Sequence, residues 1–266
     1  MPLIKNKTDL NALHQAGSIV KATLDHVVPN CQPGISTLAI DTEIKKQLTA
    51  RKSSLPFNSV TNSNNARFGF ASCTSVNDEI VNGIPAKDRL LKTGDILSIA
   101  TAASCRGIHA KAAITVYIAN TQAPANGEKP EAISRLLLGT KMAVTAVATA
   151  YQPGFTLKQL LQAIPQTAVL YQLSVLEELG GQEIGKKLHG PLPTPNNPEE
   201  LPDKILLEPG MAFTIMPMFG LGKESRVIEA SDDWTYKTAD KTLSAHFADT
   251  FLVTDAGLEN ITQLCV

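Results

Sequence analysis

Apolar residues recur every three or four positions through the first part of the chain: Leu10, Leu13, Ala16, Ile19, Val20, Leu24 and Val27. That spacing puts them on one face of an amphipathic helix. Thr8 is expected to cap its start and Pro29 to end it, because proline lacks an N–H and restricts the residue before it. Pro33-Gly34 reads as a turn, and Ser36 or Thr37 as the cap of a second helix running to about Ala50. The pattern then breaks. Arg51–Ala66 is rich in asparagine and serine, which predicts a loop.

A different pattern governs the middle of the chain. Ile96–Ala103 and Ile108–Tyr117 are β-rich runs joined by Ser104-Cys105-Arg106-Gly107, which predicts a hairpin. The two-residue period of a strand puts His109 and Lys111 on the same side. Ala119–Lys129, with Asn120, Gln122, Pro124, Asn126 and Gly127, reads as a junction between halves. A helical run follows over about Pro130–Tyr151, then Pro153-Gly154, then a helix from Thr156-Leu157 to Pro165. Each half therefore reads as helix, Pro-Gly turn, helix and strands. This weak repeat divides a single domain, 1–266, into halves of about 1–119 and 130–266.

Composition narrows the class. The chain has 266 residues, a formal charge of −1 and 43% hydrophobic residues, which is ample for a globular core. Near-zero charge gives no electrostatic case for nucleic acid or a membrane surface. No apolar run is read as approaching the roughly 20 residues of a membrane span. Met1–Lys7 lacks the apolar core of a signal peptide. Cys31, Cys73, Cys105 and Cys265 are widely spaced, so reduced thiols in a cytoplasmic protein are expected, with Cys73 and Cys105 buried for packing. His14 and His26 on the first helix have no metal-ligand spacing and read as surface or packing residues.

Several words recur in order from Cys73 almost to the C-terminus. They are Cys73-Thr74-Ser75-Val76-Asn77-Asp78 with Gly83-Ile84-Pro85, then Leu91-Lys92-Thr93-Gly94-Asp95-Ile96. Later come Leu207-Glu208-Pro209-Gly210-Met211 with Phe213-Thr214-Ile215, and Ser244-Ala245 with Phe247 and Leu252-Val253-Thr254. Together they resemble the type I methionine aminopeptidases, metallopeptidases of the pita-bread fold. The resemblance implies an α+β domain with a strongly curved antiparallel sheet, helices on its outer face and internal pseudo-two-fold symmetry.

The resemblance also implies five metal-ligand positions. Two hairpin aspartates match Ala100 and Lys111, a histidine matches Gln182, and two glutamates match Met216 and Ala248. Alanine has no donor, and a lysine ammonium donates only and repels a cation. Gln182 is a weak neutral ligand. Asp249, one residue from Ala248, points to the opposite face of a strand. No metal cofactor is expected on these residues.

Other cleft positions carry donors or apolar surface. A substrate-contacting histidine of the family matches Asn82, which hydrogen-bonds but does not titrate near neutral pH. His189, seven residues after Gln182, matches a second histidine. Trp234 matches a tryptophan near the side-chain pocket, whose wall also falls near Phe68, Phe70 and Cys73. Met216 and Met218, if buried, would fill vacated space. Lys111 without an acidic partner would have a lowered pKa.

Three readings stay open. One is a methionine-aminopeptidase-like pseudoenzyme that binds a peptide N-terminus, a small molecule or a protein partner through the cleft. A second is a metal-independent enzyme built on Lys111, His109 and His189. The third is a structural or regulatory partner of another protein. Residual or atypical methionyl aminopeptidase activity would require metal held by other groups.

Overall fold

A computed structural model describes residues 3–119 and 129–265. Nearly all of the junction expected at Ala119–Lys129 lies outside the described residues. Helix α1 spans Lys7–Val27 and α2 Thr37–Ala50. Strands β1 (Ser72–Val76), β2 (Glu79–Val81), β3 (Ile96–Cys105) and β4 (Ile108–Tyr117) follow. The second half opens with α3 (Glu131–Ala150), α4 (Leu157–Leu161) and α5 (Ala163–Leu170). Then come β5 (Ser174–Val175), β6 (Gly180–Gln182), β7 (Pro193–Pro195), β8 (Ala212–Ile215) and β9 (Met218–Gly220). The last strands are β10 (Val227–Glu229), β11 (Tyr236–Thr238), β12 (Ser244–His246), β13 (Asp249–Thr254) and β14 (Gly257–Asn260).

Local chemistry accounts for most element ends, with three departures from the expectations. The cap of α1 is Asn6, not Thr8: its side chain accepts from the Asp9 N–H at 2.8 Å. The helix therefore starts two residues earlier. The hairpin turn is only Arg106-Gly107, with φ of 50° and 78°, so Ser104 and Cys105 extend β3. Two consecutive left-handed residues match the right-handed twist of the flanking strands. Pro165 does not end its helix but occupies the third position of α5. There its missing N–H sacrifices no intrahelical bond.

The two Pro-Gly turns occupy equivalent places. Gly34 and Gly154 have φ of 89° and 88°, and Ser36 and Thr156 cap the helices that follow. Leu91 donates its N–H to Ile35 at 2.9 Å, as Leu207 does to Phe155 at 3.0 Å. Gly94 and Gly210 have φ of 94° and 95°.

Antiparallel strands β1-β3-β4 form one sheet and β14-β13-β8 another. They meet where Ala113 and Ala248 exchange both backbone hydrogen bonds at 3.0 Å. Helices α1 and α2 cover the first sheet through Val20, Leu24, Ile40 and Ile44, packed with Leu97 and Ile99. Helices α3 to α5 cover the second through Leu136, Val144, Leu160 and Ile164, packed with Phe213 and Phe251. Contrary to the expectation that no apolar run approaches a span, α3 is by length and composition apolar enough to cross a membrane. Its apolar character here is that of a core helix, with Leu136, Ala143, Val144 and Val147 fully covered.

Asp41 ties α2 to the sheet. Its buried carboxylate accepts from the backbone N–H groups of Ala71 and Ser72 at 2.9 and 2.8 Å and from the Ser72 hydroxyl. Burial raises its pKa, and these hydrogen bonds oppose the rise. They fix where β1 begins, and so where Cys73 points.

Candidate functional site

Residues of the hairpin floor a pocket of about 60 Å3. Register explains how its floor assembles. Cys73 pairs with Ala100 and Ala100 with Ala113, and Ala113 pairs in turn with Ala248. Lys111 stands opposite Ala102, one diagonal step from Ala100 on the same face. All of these except Ala102 line the pocket.

The wall is aromatic and aliphatic. Phe68 packs edge-on against Trp234 with ring centroids 5.0 Å apart, and against Phe70 at 5.7 Å. Pairing of β2 with β11 sets Val81 opposite Tyr236, which carries Asn82 and Trp234 to the same rim. Asp232 accepts from the backbone N–H groups of Trp234 and Thr235 at 2.9 and 2.7 Å, forming the turn that presents the indole. Asn82 has φ of 61°, a left-handed conformation that asparagine tolerates better than most residues. The Cys73 thiol donates weakly to its side-chain oxygen at 3.8 Å.

Met216 is buried and lines the pocket, whereas Met218 is buried behind it. Phe57, Val60 and Val81 also line it and were missed in the sequence. The signal is the apolar cluster Leu55-Pro56-Phe57 with Val60 inside a loop otherwise rich in asparagine and serine.

Lys111 is only 5% exposed. No carboxylate lines the pocket, and none among the described residues pairs with its ammonium. Burial lowers its pKa to about 8, opposed only by the neighbouring Cys73. Burial likewise pushes the Cys73 thiol up to about 12, despite the pull of Lys111, so it is a neutral thiol. His189 stands at the mouth and is lowered to about 4, by burial first and then by the charges of Lys111 and His109. The residue as a whole is exposed, so solvent screens part of that effect.

Two expected site residues stand apart. Gln182 is not among the pocket-lining residues. It sits on β6, opposite Pro193 of β7, and its backbone carbonyl accepts from the Thr214 hydroxyl at 3.2 Å. His109 lines an adjoining cleft with Leu188 and His189, and its Nδ1 lies 2.9 Å from the Gly185 carbonyl. The thiol expectation also needs correction at one position: Cys105 is half-buried and donates to Gln15, while Cys73 is buried.

Comparison with known proteins places the whole arrangement. Residues 11–255 match metallopeptidase family M24. The chain belongs to that family. It is 33% identical to a methionine aminopeptidase of Aquifex aeolicus, over 97% of this chain and 98% of that protein. It is 31% identical to methionine aminopeptidase 1 of Bacillus subtilis, over 99% and 100%. The crystal structure of a Thermotoga maritima methionine aminopeptidase matches with a TM-score of 0.88 at 27% identity, covering 98% of this chain and 99% of that one. A Pyrococcus furiosus prolidase shares the fold, with a TM-score of 0.73 at 16% identity, over 98% of this chain and 65% of that one. This M24 chain is thus methionine-aminopeptidase-like over nearly its whole length, and its fold is the pita-bread fold.

Proposed function

We propose that this chain is an M24 protein that uses its cleft to bind a ligand in place of a dinuclear metal centre. One observation carries the reading: Ala100, Lys111, Met216 and Ala248 line the pocket, and no lining residue is acidic. Two divalent ions held close together need several anionic oxygens to offset their charge. Alanine supplies none, a thioether is a soft donor poorly suited to hard ions, and a buried ammonium repels cations. The residues therefore do not fit the metals of the family. A peptide N-terminus, a small molecule and a protein partner are the candidate ligand classes.

The test is elemental analysis of the purified protein and calorimetry with Co(II), Mn(II) and Zn(II), alongside cleavage of a Met-Ala-Ser peptide. Neither stoichiometric metal nor released methionine is expected. Both together would overturn the reading and give this chain the activity named for its relatives. A combined variant at the four lining positions, Ala100→Asp, Lys111→Asp, Met216→Glu and Ala248→Glu, is expected to gain Co(II) binding, read by visible absorption.

A second reading is a metal-independent enzyme in which Lys111 serves as base or nucleophile. The observation that favours it is the lysine amine held near pKa 8 beside a neutral thiol. It requires that an amine-selective reagent modify Lys111 first, and that any activity found be lost in Lys111→Ala.

A further inference from the structure

The charge of the pocket is the reverse of what a metal-holding carboxylate cluster would give. Its floor carries one buried ammonium, at Lys111, with no counter-ion among the described residues. Its walls are Phe68, Trp234, Met216 and small alanines. The remaining polar groups are the amide of Asn82, the ring of His189, the Trp234 indole N–H and the Cys73 thiol. None of these is an anion.

Burying an unpaired cation is costly, and a polar group left without a partner in an apolar site keeps that cost until a ligand supplies one. A carboxylate does so directly, by a charge-assisted hydrogen bond in a dry environment. An ammonium at the same place meets repulsion, which disfavours a peptide N-terminus seated at the floor. An uncharged apolar molecule would leave Lys111 unpaired.

We propose that the pocket binds a small carboxylate with an apolar tail, the carboxylate pairing with Lys111 and the tail lying against Phe68, Met216 and Trp234. This rests on the reading of the cleft as a ligand site without the family's metals. The pocket offers about 60 Å3 and opens to solvent, several times the roughly 10–15 Å3 that one water needs. It therefore takes the carboxylate end and part of a short chain, and a longer tail leaves past Trp234 and His189. The carboxylate has two possible sources, a free short-chain acid or the C-terminus of a peptide.

Trp234 is the only tryptophan, so its fluorescence reports the pocket wall directly. The full chain is titrated with 4-methylpentanoate and with N-acetylmethionine, representing the two sources. The matched controls are the amides 4-methylpentanamide and N-acetylmethioninamide and the amines 4-methylpentylamine and methioninamide. Calorimetry accompanies the fluorescence. The carboxylates are expected to shift the emission and to bind about tenfold or more tighter than their amides, the range of a hydrogen bond to a charged group. The amines are expected to bind most weakly.

In Lys111→Met the acid and amide should bind alike. In Ala100→Leu, which fills the floor and keeps the lysine, neither should bind. Tighter binding of N-acetylmethionine supports the proposal with a peptide C-terminus as source, and tighter binding of 4-methylpentanoate supports it with a free acid. Equal binding of acid and amide to the natural protein overturns it, as does an acid preference that survives in Lys111→Met. Metal content measured on the same sample separates the two levels. A metal-free protein that prefers amines sinks this inference alone, whereas stoichiometric Co(II) with methionine release sinks the reading beneath it.

Discussion

Ala248 and Asp249 are neighbours in sequence and face opposite sides of the sheet. Ala248 lines the pocket. Asp249 is fully buried behind it, where its carboxylate binds the C-terminal segment. It accepts from the Thr262 hydroxyl at 2.6 Å, the Asn260 amide at 2.9 Å, and the backbone N–H groups of Leu264 and Cys265 at 3.1 and 2.9 Å. Four donors saturate it, so this carboxylate is committed to structure.

Asp249→Ala should therefore lower stability and leave ligand binding in the pocket intact. Removing a buried acceptor strands its donors, and the expected loss is about 3 kcal/mol or more. Urea denaturation measures it, and proteolysis should show residues 260–265 released first. A loss of less than about 0.5 kcal/mol, the range of ordinary surface changes, would contradict this role.

Lys111→Met should stabilise the protein at neutral pH. The folded lysine has its pKa lowered to about 8 from 10.5, so the native state disfavours the charge. Replacing such a group by an apolar side chain of similar length should gain roughly 1–3 kcal/mol. Between pH 8 and 10.5 the unfolded chain binds more protons at this position than the folded one. Stability due to Lys111 therefore rises with pH through that window and is flat below it. The variant should lack this rise. Denaturation midpoints at pH 7 and 10 for both proteins decide it.

His246 governs the acid side. It is fully buried on β12 and neither ring nitrogen has a partner within hydrogen-bond geometry among the described residues, although its backbone N–H and carbonyl both bond the Thr115 hydroxyl. Burial first, then the charge of Lys111, lowers it to about 4 from 6.5, with a backbone contact at Ile80 in opposition. Between pH 6.5 and 4 the unfolded state binds the extra proton, so stability falls as pH drops through that window. The full effect is roughly 3 kcal/mol by pH 4. His246→Leu should flatten the acid limb in thermal melts. Equal slopes in the two proteins would remove His246 from this account.

Gly83 holds its place for packing, whatever the cleft binds. A Cβ there would lie 2.4 Å from the Thr74 carbonyl oxygen and 2.8 Å from the Ser75 Cα. These are backbone atoms of β1 and cannot swing away, because Thr74 donates its N–H to the Gly83 carbonyl at 2.8 Å. Gly83→Ala should cost about 1–3 kcal/mol, as overpacking does. It should also displace β1 and weaken ligand binding at Cys73 and Asn82. A melting temperature equal to that of the natural protein would refute the close approach.

Some of this was legible in the chain and some was not, for identifiable reasons. The helical period from Leu10 to Val27 located α1, yet its cap moved to Asn6, since Asn6 and Thr8 are both competent caps. Pro165 reads as a stop in the sequence because a one-dimensional pattern does not say whether proline sits in a first turn or an interior one, and in the structure it sits in the first turn of α5. Phe57 and Val60 were lost inside a polar loop, since burial depends on what folds over the loop. Motif spacing puts Gln182 at a family ligand position, whereas in the structure it pairs with Pro193 of β7 and is not among the residues lining the pocket.

The sequence by itself determined the helices, the hairpin and the residue types at the family's positions, because periodicity and covalent order are local properties. It also determined that Ala100, Ala248 and Met216 bring no carboxylate, since a side chain's chemistry does not depend on its surroundings. Only the tertiary structure decided that Lys111 is buried without an anion, that Asp249 is spent on the C-terminal segment, and that Trp234 meets Phe68 over one pocket. Those are relations between residues far apart in the chain. They follow from sheet register and from the closure of the two halves through Ala113 and Ala248, which set the desolvation and the pairing of each charge.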